Sequence, residues 1–324
     1  MSRYGQRSRL TGALGANSIN SWFGGGFAVP LIAVDYLVVA GGGGSGCSIV
    51  DSSGGIAGSG GGAGGLRSTV TATGGGGTLE TALLLIKNTS YAVTVGAGGA
   101  AGVNQVSTPA KGSNSVFATI TSTGGGGGKQ QLPDNRTDID GGSGGGTASD
   151  NANYTGGSGT ANQGFDGGSA QTSSNSRSSA GGGGAGSVGG NTTSSNGTGN
   201  GGSGVSVSIT GSSVGYAGGG GGGLGGVSGG TASTASSGGG AGGARGSSGT
   251  AGTVNTGGGA GGAGAGTVST SLGVAGGSGV VILRWLTTDG SITVGAGLTA
   301  DATGTDGSYS YKRFTAGNGN VSFA

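Results

Sequence analysis

The sequence predicts an all-β or irregular fold in which short antiparallel strands hold a bundle of extended glycine helices, with almost no α-helix. Glycine supplies 94 of the 324 residues, several times its usual share of about 7%. The glycines occur in blocks of three to six, and several blocks adjoin runs of β-branched and other apolar residues. Glycine costs about 1 kcal/mol relative to alanine inside a helix, so no α-helix of ordinary length is readable.

Five segments carry the alternating or continuous β-branched pattern of strands, and Gly, Ser and Asn bound each of them. The last of these, GVVILRW, is the strongest strand signal in the chain. The predicted strands are residues 36–40, 79–87, 91–95, 116–121 and 279–285.

The glycine blocks predict polyglycine II, an extended left-handed helix with three residues per turn and a rise of about 3.1 Å per residue. Without Cβ atoms such helices pack side by side, and each residue points its N–H and C=O towards a neighbouring helix. A dense hydrogen-bond lattice of this kind explains why a chain would carry so much glycine, since each ordered glycine costs about 0.5–1 kcal/mol more than alanine.

The composition argues against an enzyme and against cofactor or metal sites. The chain has no His and a single Cys, so it cannot form a His-based triad, a Cys-His dyad or a Cys/His zinc cluster. No EF-hand loop and no repeated calcium-binding nonapeptide is present. Cys47 is interpreted as a small packed residue.

Three further classes are disfavoured. Only 3 prolines and the absence of a glycine at every third position exclude collagen. The formal net charge is +2 and the basic residues are scattered, which gives no support for nucleic-acid binding. The most apolar window, residues 27–40, is shorter than the roughly 20 residues a bilayer requires and contains Pro30 and Asp35, so membrane insertion is not expected.

Changes in residue composition along the sequence divide the chain into an assembly arm, a glycine-rich domain and a β tail. Within the domain, a strand-rich part precedes the polyglycine bundle, and one strand closes it. The predicted boundaries are 1–33 for the arm, 34–285 for the domain (34–123 strand-rich, 124–279 bundle, 280–285 closing strand) and 286–324 for the tail.

Four stretches, in order, join a strand to a glycine context: VDYLVVAGGGGSG (34–46), YAVTVGAGG (91–99), GSNSVFATITSTGGGGG (112–128) and GGSGVVILRW (276–285). As an ordered set they resemble the markers of the glycine-rich domain of bacteriophage tail-fibre and adhesin proteins. The resemblance implies a polyglycine II sandwich whose far-end loops bind host surface structures, a location on the virion surface and threefold self-association. Host surface glycans or proteins and other virion proteins are the implied partners.

The tail departs from the family pattern. YKRFTAGNGNVSFA (311–324) is similar to a segment that precedes the first strand in relatives, and ITVGAG (292–297) repeats VTVGAG (93–98). Either the chain is circularly permuted or the tail is a separate β element. The sequence predicts a hairpin between residues 312–315 and 320–323 across Gly317 and Gly319, with Phe314 or Phe323 buried beside the sheet. Packing on a neighbouring subunit is the alternative.

Recognition must come from the spacers between glycine blocks, because the blocks have no side chains. Residues 129–140 are the most charged stretch, and residues 147–180 hold isolated large side chains in a Ser/Asn background, a composition that suits binding loops. The alternative is that Tyr154 and Phe165 simply cap the bundle. The host-contact candidates are Asp134, Asn135, Arg136, Tyr154, Phe165 and Arg177.

The N-terminal arm holds large side chains in a chain that otherwise avoids them, which predicts an assembly element. The assembly candidates are Arg3, Tyr4, Arg7, Arg9, Trp22 and Phe23. Two functions of other kinds stay open beside a host-binding fibre or adhesin. They are a capsid decoration or tail adaptor without receptor binding, and a free glycine bundle such as an ice-binding or wall protein.

Overall fold

The structure is a computed structural model with two parts, a nearly closed antiparallel sheet and a bundle of glycine segments. It describes residues 29–50, 55–103, 107–129, 138–148, 153–171, 177, 179–192, 197–225, 230–266 and 271–324. Within these ranges the regular elements are thirteen β-strands and one short 3-10 turn at Thr287–Asp289. The described part of the chain therefore has the all-β or irregular character that the composition predicts.

The strands are short except for two that run through the sheet. They are β1 (Leu31–Val39), β2 (Leu66–Ser68), β3 (Leu83–Ile86), β4 (Tyr91–Thr94), β5 (Ser115–Phe117), β6 (Ile120–Ser122), β7 (Val205–Val207), β8 (Val214–Tyr216), β9 (Val280–Leu286), β10 (Ile292–Val294), β11 (Leu298–Ala300), β12 (Gly304–Asp306) and β13 (Tyr309–Phe323).

The main sheet has the order β2-β1-β9-β13-β4-β5-β6, and all its pairings are antiparallel. Its two ends approach each other. The Ser122 hydroxyl on β6 donates to the Val38 carbonyl on β1 at 2.8 Å, and Arg67 on β2 donates to the Thr121 carbonyl at 3.3 Å. The sheet is therefore nearly closed, and we call this closing region the seam.

Alternation along β1 supplies two separate cores, since successive side chains of a strand point to opposite faces. The even-numbered residues from Ile32 to Val38 lie inside the nearly closed sheet with Trp285, Phe314 and Phe323. Leu37 and Val39 face the other way and pack with Leu66, Ile282 and the hairpin β7–β8. The second core joins the sheet to the bundle.

The tail is part of the sheet, and the predicted hairpin is wrong. Residues 309–323 form the single strand β13, which pairs with β9 through its first half and with β4 through its second half. Strands β10, β11 and β12 pair with its other edge. Gly317 has a φ of 97° but the strand continues through it. Phe314 and Phe323 are both fully buried within the same chain.

The glycine segments form polyglycine II helices, as the sequence predicts. The first of them shows the threefold repeat, because every third amide donates to the same neighbouring segment. The amides of residues 40, 43 and 46 donate to the carbonyls of 65, 62 and 59; those of 41 and 44 to 113 and 110; and those of 42 and 45 to 277 and 274.

The carbonyls of the same helix bind three other segments. Those of residues 41 and 44 accept from the amides of 125 and 128, those of 42 and 45 from 99 and 102, and those of 43 and 46 from 260 and 263. Six neighbours thus surround one helix, three antiparallel and three parallel to it. Backbone groups buried in the bundle therefore find partners without ordinary strand pairing. Residues before 124, such as 40–46 and 58–65, belong to this lattice too.

A hydrogen-bonded network lies at the seam. Arg67 binds Glu80 through Nε–Oε1 at 2.7 Å and Nη2–Oε2 at 2.6 Å, and the Tyr36 hydroxyl donates to Glu80 Oε2 at 2.6 Å. Burial raises the pKa of Tyr36 well above its usual value, and the hydrogen bond to Glu80 raises it further. The hydroxyl is thus held neutral in the folded state.

We expect the free energy of unfolding to fall above about pH 10, the pKa of an exposed tyrosine. The folded state keeps the Tyr36 proton when the unfolded state has lost it, so this contribution is intact below pH 10 and is lost as the pH rises towards the raised folded pKa. One such group lowers the free energy of unfolding by about 1.4 kcal/mol in total between pH 9 and 11. Urea unfolding over this range measures the decrease. Tyr36→Phe should remove that part of the decrease, and an unchanged decrease would contradict the assignment.

Candidate functional site

The bundle has one end at the sheet and one end far from it, which we call the tip. From Ala40, next to β1, six residues lead to Gly46, which is about 19 Å at the rise of a polyglycine II helix. Gly46 donates to the Ser59 carbonyl at 3.1 Å, and the Ser59 hydroxyl donates to the Lys129 carbonyl at 2.6 Å. Gly46, Ser59 and Lys129 therefore stand at one level, at the tip.

The tip carries a cation–π pair between Lys129 and Tyr154. Lys129 Nζ lies 3.3 Å from the centroid of the Tyr154 ring, a contact that contributes about 0.5–1 kcal/mol at an exposed site. The Tyr154 backbone is fixed by two hydrogen bonds of 2.9 Å with Ala170, and its carbonyl accepts a third from the Thr147 hydroxyl at 3.0 Å. The ring is thus presented from a rigid backbone.

An open cleft of about 450 Å³ lies beside this ring. Its polar lining comes from amide and hydroxyl side chains, which can donate and accept hydrogen bonds. The backbone N–H of Gln171 donates to the Thr192 hydroxyl at 2.9 Å, which fixes one wall. The lining residues are Asn153, Tyr154, Thr155, Ser169, Ala170 and Gln171. The cleft offers a ring, a nearby ammonium group and small polar groups, a set suited to binding rather than to bond-making chemistry.

The structure separates the two predicted aromatic contacts. Tyr154 lies at the tip, whereas Phe165 lies at the sheet end, where a Cβ on Gly76 would stand 3.5 Å from its ring. Phe165 also bonds through its backbone to Gly144 and Gly184. The chain runs from the tip to the sheet end between residues 154 and 165, so the two rings cannot contact one ligand surface together.

Arg177 is at the tip with Tyr154, because its carbonyl accepts a hydrogen bond of 3.0 Å from the amide of Ala57. The other predicted contacts, Asp134, Asn135 and Arg136, lie outside the described residues, although Lys129 before them is at the tip. The assembly candidates Arg3, Tyr4, Arg7, Arg9, Trp22 and Phe23 also lie outside the described residues.

Sequence reasoning did not single out three residues of this site. Lys129 fell within the charged stretch 129–140, and the usable signal was its position directly after a block of five glycines. Asn153 and Gln171 line the cleft, but each is one polar residue in a background rich in Ser, Asn and Gly. Only the pairing of Tyr154 with Ala170 places them side by side.

Metal clusters and membrane-spanning helices are absent from the described ranges. These residues contain no group of three or more His, Cys, Asp or Glu side chains placed to hold a metal ion. None of the described residues belongs to a helix with the length and apolar character needed to cross a membrane.

One comparison with known proteins agrees with the architecture. No curated protein matches the sequence. The family model of the glycine-rich domain matches residues 25–286, which begins before β1, covers the whole lattice and ends with β9. Because the match takes in most of the chain, the protein belongs to the glycine-rich domain family.

Proposed function

We propose that the protein is a structural virion protein of the tail-fibre or adhesin type, without enzymatic activity, that contacts the host cell surface through the tip of its glycine bundle. The observation that carries the proposal is the Lys129–Tyr154 pair beside an open polar cleft at the tip. The resemblance of the ordered sequence markers to those of phage fibre and adhesin proteins supplies the virion context.

The lattice supports this role because it is rigid and because its backbone amides and carbonyls bond to one another. Successive amides and carbonyls of the helices bond to neighbouring helices, so binding groups are offered mainly where helices end. Groups fixed in place before binding lose little freedom when a ligand arrives. A tip built on such a lattice therefore suits the recognition of surface glycans or proteins.

The sheet end supports a role in assembly. Leu84 on β3 is 66% exposed, and Val29, Leu31 and Ile86 lie exposed near it, with Leu31 and Ile86 directly opposite each other. Exposed apolar patches of this kind mark protein contacts. Residues 1–28 of the predicted arm directly precede Val29 in the chain, so the proposal assigns contacts with other virion proteins, and a homotrimeric assembly, to this end. This patch also favours the second candidate function, a capsid decoration or tail adaptor without receptor binding.

Binding to whole bacteria distinguishes the two functions. We expect fluorescently labelled protein to stain some strains of a bacterial panel, and Tyr154→Ala to lower the staining about tenfold, because loss of a central aromatic contact commonly costs more than 1 kcal/mol. Flow cytometry measures the staining.

Tyr309→Ala is the matched control, since Tyr309 also lies under a cation, Arg284, with 4.4 Å between Cζ and the ring centroid, but on the sheet. It should stain like the parent protein. Equal staining by Tyr154→Ala and Tyr309→Ala would show that the tip does not contact the host surface. Incorporation into particles without staining of any strain that the phage infects would favour the adaptor.

A further inference from the structure

A second cleft, of about 670 Å³, lies beside the seam, where the sheet meets the turn at residues 161–163. Its lining includes Tyr36, Arg67 and Glu80 on the sheet side and Asn162 and Gln163 on the turn. The Gln163 carbonyl accepts a hydrogen bond from the amide of Leu66, the first residue of β2. The cleft is therefore at the sheet end of the bundle, away from the tip, and it is independent of the function proposed above.

The charges in this cleft already neutralise each other. Both oxygens of Glu80 accept from Arg67, and Oε2 also accepts from the Tyr36 hydroxyl. The Arg67 and Glu80 side chains are 27% and 21% exposed, so the pair is partly shielded from water. Among the described residues, no other charged side chain lines the cleft. A charged ligand would have to compete with this bidentate pair, so neither anions nor cations are favoured.

Hydrogen-bonding capacity remains around the pair. A guanidinium has five N–H donors, and the contacts to Glu80 and to the Thr121 carbonyl use three of them. The Gln163 side chain is fixed because its Oε1 accepts from the Thr123 amide at 2.8 Å, which leaves its NH2 group as a donor. Asn162 is exposed on the turn and brings a second amide. The cleft thus holds fixed donors and acceptors in the same small space.

Aliphatic side chains form the rest of the lining. Leu79 is 47% exposed, Leu83 is half-buried and Ile120 is nearly buried. A ligand that fits must present an apolar surface to these residues and both donors and acceptors to the amides, without net charge. Sugar rings have this character, because their C–H faces are apolar and their hydroxyl groups both donate and accept.

We propose that this cleft binds a neutral saccharide unit, with the Asn162 and Gln163 amides bonded to its hydroxyls and with Leu79, Leu83 and Ile120 against its C–H face. The site differs from the tip in its position and in its aromatic content, since the one aromatic residue among the described lining residues, Tyr36, is 1% exposed and presents no ring for stacking.

Methyl NMR of the full chain tests the proposal. The probes are glucose, galactose, N-acetylglucosamine and lactose as neutral saccharides, glucuronate and glucosamine as charged sugars, and tetra-alanine as a peptide. We expect saturable shifts of the Leu79, Leu83 and Ile120 methyl groups with at least one neutral saccharide and no shift of Leu224 or Leu272, which lie towards the tip. Comparing the binding of lactose with that of the monosaccharides shows whether one sugar unit is enough to fill the cleft.

Asn162→Gly removes one amide and suits the backbone, because Asn162 has a φ of 60° and glycine adopts positive φ at no steric cost. It should weaken saccharide binding about fivefold, the effect of one lost hydrogen bond. Asn88→Gly is the matched control, an exposed Asn with a φ of 58° outside the cleft, and it should bind like the parent. The proposal is overturned if no neutral saccharide moves these methyl groups, if the charged sugars or the peptide move them more strongly, or if both variants bind like the parent.

Discussion

Replacing Gly43 by alanine is expected to lower the free energy of unfolding by about 3 kcal/mol or more, near the upper end for overpacked sites. A Cβ at this position would collide with the backbone carbonyl of Gly126 and would stand 3.0 Å from the amide nitrogen of Gly127. Gly43 also donates to Gly62 at 2.8 Å and accepts from Ala260 at 3.1 Å. Neighbours bound on several sides cannot withdraw to make room.

Urea unfolding of the parent and of Gly43→Ala measures this effect. Gly307→Asn is the control, because Gly307 lies in an exposed turn with a φ of 56° and open space where a Cβ would stand, and Asn tolerates this left-handed conformation. The control should remain within about 1 kcal/mol of the parent. A Gly43→Ala protein of similar stability would show that the helices are not packed as closely as described.

The positions of some strands were predictable because the physical signal lies in each segment itself, although residues 116–121, predicted as one strand, form the paired strands β5 and β6. The apolar runs before Ala40 and after Gly279 became β1 and β9, and alternation fixed which side chains face each core. The predicted segment 79–87 was too long, since β3 covers only Leu83–Ile86. Leu79 instead lies exposed in the second cleft, beside the seam, a position that local hydrophobicity does not reveal.

The neighbours of each glycine helix were not predictable from the sequence. Polyglycine II follows from the absence of side chains. Because all glycines are identical, however, the sequence of a glycine block does not specify which other blocks pack against it. Alanines show where the lattice leaves room, since Ala63, Ala260 and Ala263 are fully buried and accommodated. Which segments meet there is decided by the topology of the whole chain.

The candidate site was predicted only in part, because the topology of the whole chain also decides which side chains meet at the tip. Tyr154 was recognisable as a large ring among small residues, and the structure places it at the tip beside Lys129. Phe165 had the same local signature but lies at the other end of the bundle. Ten residues, which include the turn at residues 161–163, separate the two rings, and the position of that turn determines which end each ring occupies.

The tail shows how tertiary pairing overrides turn chemistry. Its Gly-Asn repeat favours a hairpin, yet β13 finds partners along both edges. The similar segments ITVGAG and VTVGAG supply β10 and the end of β4, and these strands flank the last residues of β13 on opposite sides. A strand with partners along both edges forms more hydrogen bonds than a hairpin folded on itself.

Removing residues 287–324, which follow the family match, is therefore expected to abolish the native sheet. β13 lies between β9 and β4, so its loss leaves both strands with an open edge. It also takes Phe314, Val321 and Phe323 from the core. Loss of one buried Phe side chain costs about 3–5 kcal/mol, and the total stability of a domain is about 5–15 kcal/mol, so three losses together approach or exceed it.

Near-ultraviolet circular dichroism reports this loss through Trp285, whose ring lies edge-on to Phe323 at 5.4 Å and donates to the Gly290 carbonyl at 2.9 Å. The truncated chain should lose this signal and its cooperative unfolding. Phe314→Leu, which keeps most of the buried volume, should retain both with a smaller loss of stability, whereas Phe314→Ala should lose about 3–5 kcal/mol. A truncated chain with the parent's spectrum and unfolding midpoint would mean that β9 and β4 close the sheet without β13. The tail would then be dispensable for the fold, whereas in the structure its strand β13 is the central strand of the sheet.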